Sequence, residues 1–177
     1  MSTSTASADP ARLLLVDGHS MAFRAFYALP VENFTTSTGQ ATNAVHGFTS
    51  MFLSLIDSER PTHVAVAFDL PGGTFRTQDY PLYKANRDAP PQPFVGQVAL
   101  IQDLLSAMGV RSLTKENVEA DDILATLAAR AQEAGMEVLV CSGDRDSLQT
   151  VTERCTVLYP VRGVSTLRRM TPAEVER

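Results

Sequence analysis

The 177-residue chain reads as an α/β fold, with a central, mainly parallel sheet flanked by helices. Three observations predict it. Short apolar runs of strand length alternate with longer stretches whose apolar residues recur every three or four positions. Glycines stand where two of the helical stretches should stop. The length is that of one domain, able to bury roughly 70% of the surface its unfolded form exposes.

Residues 1–11 (MSTSTASADPA) are small and polar and read as a disordered tail; without an apolar stretch they make no secretion signal. Arg12–Asp17 (RLLLVD) is a first strand. Asn43–Arg60 places Val45, Phe48, Met51, Phe52, Leu55 and Ile56 at helical spacing. His63–Asp69 (HVAVAFD) is a second strand, again ending in an acid. Leu70–Pro93, rich in proline, is too long for an ordinary connection and stands apart as a functional segment. Pro93–Met108 is a helix through Val98, Ile101, Leu104 and Leu105, stopped by Gly109. Val110–Leu113 is a short strand, and Glu119–Ala134 a helix through Ile123, Leu124, Leu127 and Ala131, stopped by Gly135. Glu137–Cys141 is a third clear strand, Asp144–Val151 a short helix, and Thr156–Tyr159 and Val164–Leu167 two final strands. Thr171-Pro172-Ala173-Glu174 carries a helix-start signature: a capping Thr, Pro at the first helical position, and Glu three residues after the cap. Arg177 falls about one turn later, so the sequence reads as cut mid-element.

Strands in such folds deliver ligand-binding groups beyond their carboxyl ends. Three runs here deliver acids: Asp17 after LLLV, Asp69 after VAVAF, and Asp144 with Asp146 after VLVCSG. The helix from residue 119 adds Glu119, Asp121 and Asp122 in its first turn. Taken singly these are ordinary, since acids favour helix starts and turns. Together they repel one another unless hard cations neutralise them. Carboxylate oxygens are what Mg²⁺ and Mn²⁺ prefer, and this many acids suggests two ions, an arrangement suited to phosphodiester hydrolysis. The net charge of −5 counts against a nucleic-acid partner, but setting these seven acids aside leaves the remainder at +2. The two cysteines, with no secretion signal, predict free thiols in a reducing cytoplasm, and Cys141 in VLVC a buried one. Apolar residues total 44%, with no run of the ~20 residues that a membrane span needs.

Between Phe75 and Arg87 (FRTQDYPLYKANR), Arg76, Lys84 and Arg87 stand beside Tyr80 and Tyr83. Tyr83, Lys84 and Arg87 share one face if the stretch is helical. Cations beside tyrosines suit a single nucleic-acid strand, charge for phosphate and ring for base; a solvated amphipathic helix is the plainer alternative.

These stretches, in this order, resemble the 5′-nuclease family of bacterial polymerase-associated 5′-exonucleases, phage 5′-exonucleases and flap endonucleases. The carriers are LLLVDGHSMAFRAFYALP, AVHGFTSMF, VAFD, FRTQDYPLYKANR, VEADDILATLA and CSGDRDSLQTV, with EADD followed by GDRD the most specific; FRAFYALPVENF and TVLYPVRGVS look most actinobacterial. The resemblance implies a PIN-like, Rossmann-like sheet with an arch at about 70–93. It implies Mg²⁺- or Mn²⁺-dependent cleavage of DNA with 5′ flaps, nicks or pseudo-Y junctions, by a monomer followed by a polymerase region. It implies metal ligation by Asp17, Asp69, Glu119, Asp121, Asp122, Asp144 and Asp146, with two ions in the complete protein. Lys84 and Arg87 would act at the scissile phosphate, Tyr83 would stack near the 5′ nucleotide, and Arg24, Phe26 and Arg76 would contact DNA. The family's Gly-containing turn before EADD reads KENV here, the arch continues as DAPPQPF, and a C-terminal helix-three-turn-helix part with the last acids is missing.

Competing classes fare worse. A haloacid-dehalogenase-like phosphatase needs D-x-D on the first strand, where Asp17-Gly18-His19 stands. A receiver domain needs a late Lys, and the last is Lys115. A PIN-type ribonuclease shares the architecture without needing the arch. A module that holds branched DNA or metal without cutting remains the alternative from a different class.

Overall fold

The computed structural model describes residues 10–72, 74–80, 89–163 and 166–177. Its elements follow the expected alternation: β1 (Arg12–Asp17), α1 (Gly18–Ala28), α2 (Asn43–Glu59), β2 (His63–Ala67), α3 (Phe75–Asp79), α4 (Gln97–Ala107), β3 (Arg111–Leu113), α5 (Ala120–Glu133), β4 (Glu137–Cys141), β5 (Cys155–Arg162), β6 (Thr166–Met170) and a final turn, α6 (Pro172–Val175). The six strands lie in the order β3-β2-β1-β4-β5-β6, with every pair parallel except β5 and β6. The order reverses between β1 and β4, and the crevice for ligands in such sheets opens there, at the carboxyl ends.

The central strands read as unbroken apolar runs because both faces are covered. Leu14, Val16, Val66, Leu139 and Cys141 pack beneath α1, α2 and α4 through Ala25, Phe48, Phe52, Ile101 and Leu105. The alternate residues Leu15, Val138, Val140 and Val157 pack against Leu124, Ala128 and Ala131 of α5. Gly109 (φ 73°) and Gly135 (φ 81°) close α4 and α5 in the left-handed conformation, as the sequence predicts. A buried amide pair joins three helices. Asn43 Nδ2 donates to the Phe26 and Leu29 carbonyls at 2.8 and 2.9 Å, and Gln97 Nε2 donates to Asn43 Oδ1 at 2.8 Å.

Several expectations change. α1 follows β1 without a loop, because Asp17 both ends the strand and caps the helix, its Oδ1 accepting from Ser20 N at 3.0 Å. The short helix expected over Asp144–Val151 is present as a 3₁₀ helix, Arg145–Thr150. β5 is longer than predicted, since its antiparallel partner β6 pairs along it. Thr171 makes no side-chain cap; Glu174 turns back to ion-pair with Arg168 and, at 3.1 Å, with Arg177. The KENV turn is solved by Asn117, at φ 62°, the residue type that tolerates the left-handed region best after glycine. No described helix is long and apolar enough to cross a membrane.

Candidate functional site

Two glycines let the site close. A Cβ on Gly18 would lie 2.3 Å from the buried Phe68 ring, and one on Gly143 would lie 2.7 Å from Arg24 Nε and 3.0 Å from Ser20 Oγ. The β1–α1 corner is therefore close-packed against the residue that follows β2, and the loop after β4 against α1.

Five of the seven predicted acids, Asp17, Asp69, Glu119, Asp121 and Asp144, line one cleft of about 690 Å³. Asp122 and Asp146 line an adjoining cleft of about 510 Å³ with Arg76, and Glu119 and Asp121 form part of the wall of both. The carboxylates are held by hydrogen bonds from one another's loops. Asp17 Oδ2 accepts from the fully buried Ser142 hydroxyl at 2.8 Å, and Ser142 Oγ accepts from Asp144 N at 3.1 Å. Ser20 Oγ accepts from Gly143 N at 3.0 Å. Asp69 Oδ1 accepts from Ala120 N at 2.7 Å, and Asp144 Oδ1 from Asp146 N at 3.0 Å. The Asp69 amide donates to His19 Nδ1 at 3.1 Å. Among the described residues, no three of these groups already stand together as a ready-made ligand set.

Asp17 is 5% exposed, and burial pushes its carboxyl above the usual 3.8. The Ser20 and Ser142 hydrogen bonds pull it back, the Asp69 charge adds to the rise, and His19 opposes it. On the neighbouring strand, burial and the Asp17 charge push the Cys141 thiol up to about 12. Among the described residues, the larger cleft sets one guanidinium, Arg145, against its five acids. An all-oxygen donor set with surplus negative charge fits a hard divalent cation.

The predicted DNA contacts divide. Arg24 lies over the Tyr159 ring, 5.6 Å from its centroid, beside Gly143. Arg76 is turned inward, pairing with both Asp122 oxygens at 2.6 Å. Phe26 is corrected: it is 7% exposed, packed edge-on against Phe94 in the core, and presents no face to a duplex. The same helix offers Tyr27, 69% exposed, and half-buried Phe23, which lines the acidic cleft; their i, i+4 spacing was the signal available in the sequence. Tyr83, Lys84 and Arg87 lie outside the described residues. Sequence reasoning also passed over Ser20, Ser142 and His19, whose only signal is adjacency to Asp17 and Asp144.

A family model described as the 5′-3′ exonuclease, N-terminal resolvase-like domain matches residues 12–177. The chain is 54% identical over 163 residues to DNA polymerase I of Mycobacterium bovis, covering 92% of itself and 18% of that protein. It is 40% identical over 165 residues to DNA polymerase I of Bacillus subtilis, covering 93% of itself and again 18% of the relative. The chain thus spans about a fifth of the length of these relatives. Among solved structures it is similar in fold to the T5 D15 protein co-crystallised with metal ions (TM-score 0.66, 23% identity, 84% of this chain and 55% of that one). It is likewise similar to T5 5′-exonuclease with bound zinc (TM-score 0.65, 21% identity, 90% of this chain and 58% of that one).

Proposed function

The chain belongs to the 5′-3′ exonuclease family as its N-terminal resolvase-like domain, and on that premise we propose that it hydrolyses DNA phosphodiester bonds at 5′ flaps, nicks and pseudo-Y junctions, as the nuclease part of a cytoplasmic DNA polymerase I. The observation that carries this is the convergence of five acids in one cleft at the reversal of strand order.

Asp17, Asp69, Glu119, Asp121 and Asp144 would hold a divalent cation, Mg²⁺ or Mn²⁺, with Asp146 serving a second. When bound, such ions lower the pKa of a water and neutralise charge on the phosphate. The protein's own contribution is to keep its oxygens still. Asp17 is fixed through Ser20 and Ser142, and Asp69 through Ala120 N. Phe23 and Tyr27 offer ring faces for bases at the rim, and Arg24 a cation for the backbone. Lys84 and Arg87 supply positive charge at the scissile phosphate, an interaction that counts most in the transition state.

The test is a labelled 5′-flap duplex with Mg²⁺, Mn²⁺ or EDTA. Asp69→Ala should abolish cleavage while leaving flap binding nearly intact. Lys84→Ala should slow single-turnover cleavage by about 10²-fold or more. Tight flap binding with no cleavage under either metal would favour the non-cutting module, and cleavage in EDTA would sink the metal mechanism.

A further inference from the structure

We propose that Asp122, although it sits in the acidic motif beside two cleft acids, Glu119 and Asp121, is not a metal ligand. Its role is to anchor Arg76, whose guanidinium is thereby held against Glu119 as a fixed counter-charge that limits how tightly the centre binds divalent cations. The inference rests on the nuclease reading and reassigns one residue within it.

The geometry is specific. Arg76 presents two nitrogens to the two oxygens of Asp122, both at 2.6 Å, a fork-to-fork pair. Asp122 Oδ2 also accepts from Glu119 N at 3.2 Å, so the carboxylate is committed on both oxygens and holds the first turn of α5 as well. Arg76 Nη1 lies 3.6 Å from Glu119 Oε2, and the guanidinium rests 4.6 Å from the Phe75 ring centroid. Side-chain exposure is 32% for Arg76 and 27% for Asp122, so water screens the pair incompletely. A cation approaching Asp122 would have to break a charge-assisted fork and would meet a guanidinium directly behind it. Asp121 and Glu119, by contrast, line both clefts. The Arg76–Asp122 pair is neutral as a unit, and Arg76 also withdraws negative charge from Glu119. It is therefore a positioning residue acting through Glu119, and Asp122 acts through Arg76.

Mn²⁺ binding to the full chain without DNA, followed by the loss of the free-ion electron paramagnetic signal, tests this. Arg76→Gln removes one positive charge from beside Glu119 and should tighten Mn²⁺ several-fold. Asp122→Asn leaves the Arg76 charge beside Glu119 and should weaken it several-fold. Opposite signs are expected because the pair acts electrostatically; a merely structural pair would lose affinity both ways and overturn the proposal. The double variant removes one charge of each sign and should bind Mn²⁺ within about threefold of wild type, with the same number of ions. If Asp122 were a ligand, the double variant would lose tenfold or more, or one ion. As a second measurement, anomalous scattering from Mn²⁺-loaded wild-type crystals should leave the Arg76–Asp122 fork intact; manganese bound directly to an Asp122 oxygen would refute the assignment. Wild type that takes up no Mn²⁺ at all would instead sink the metal reading on which this one rests.

Discussion

Ser142→Ala tests how the site holds its most buried charge. The hydroxyl is fully buried, donates to Asp17 Oδ2 at 2.8 Å and accepts from Asp144 N at 3.1 Å. Alanine removes a hydrogen bond to a carboxylate that is itself 5% exposed. A bond to a charged group contributes about 1.5–3 kcal/mol, and the bond from the Asp144 amide adds about 0.5–1 kcal/mol where water replaces it poorly. The metal-free protein should therefore lose about 2–4 kcal/mol where Asp17 is ionised. At roughly 2–4 °C per kcal/mol for a chain of this size, the melting temperature should fall by about 4–16 °C.

The loss should depend on pH. Burial raises the Asp17 carboxyl above 3.8, so the folded state binds that proton more tightly than the unfolded state does. Ionising Asp17 costs the fold nothing below 3.8, and the cost grows as pH rises through the folded value. Ser142 stabilises the anion, so its contribution is present where Asp17 is ionised and fades as pH drops below the folded value. Ser142→Thr keeps the hydroxyl and should recover most of the stability. Thermal melts in EDTA from pH 4 to 8, with the Thr variant alongside, measure all of this. A Ser142→Ala protein melting within 1 °C of wild type throughout that range, or one whose deficit grows as pH falls, would refute the reasoning.

Three further outcomes follow from neighbouring features. Gly18→Ala would place a methyl 2.3 Å from the Phe68 ring and should cost about 1–3 kcal/mol or more in chemical denaturation, with flap cleavage falling as the β1–α1 corner shifts. Asn43→Ala leaves the Phe26 and Leu29 carbonyls and Gln97 Nε2 without that partner and should cost about 2–5 kcal/mol, whereas Asn43→Asp, which loses the donors and buries a charge, should be worse. The Cys141 thiol, pushed to about 12 against an ordinary 9.0, should ignore a thiol reagent at pH 8 until the protein unfolds. Its folded state holds the proton that the unfolded state releases, so stability should decline as pH climbs from about 9 toward 12, and Cys141→Ala should flatten that decline.

Much of the architecture was legible because apolar runs of period-free strand type and helical spacing leave few arrangements. The acids were legible because strand ends and a helix start in a parallel sheet share one edge. Other features left no local trace. The Asn43–Gln97 pair joins residues 54 apart, and nothing in either neighbourhood marks them as buried. Phe26 and Tyr27 are adjacent aromatics, and only the packing of Phe94 decides which one faces inward. Asn117 was visible merely as the absence of an expected glycine. Arg76 looked like a phosphate contact because its partner Asp122 lies 46 residues away.

The same hydrogen bonds bear on how the acids should be dissected. Asp17 holds the start of α1 and the loop after β4, Asp69 holds the start of α5 through Ala120 N, and Asp144 caps the 3₁₀ turn that carries Asp146. Each of these three carboxylates thus also ties down a segment bearing another candidate ligand. Replacing one by alanine removes a ligand and frees its neighbour, so alanine variants should show losses that do not add. Asparagine keeps one acceptor oxygen and can preserve the tie while removing the charge. At Asp69, whose Oδ1 takes the Ala120 amide, Asn and Ala variants should be equally dead in cleavage and differ in stability, with Asn the more stable in EDTA. Denaturant titration of the two side by side measures that difference, and equal midpoints would mean the Ala120 contact contributes nothing to holding the site.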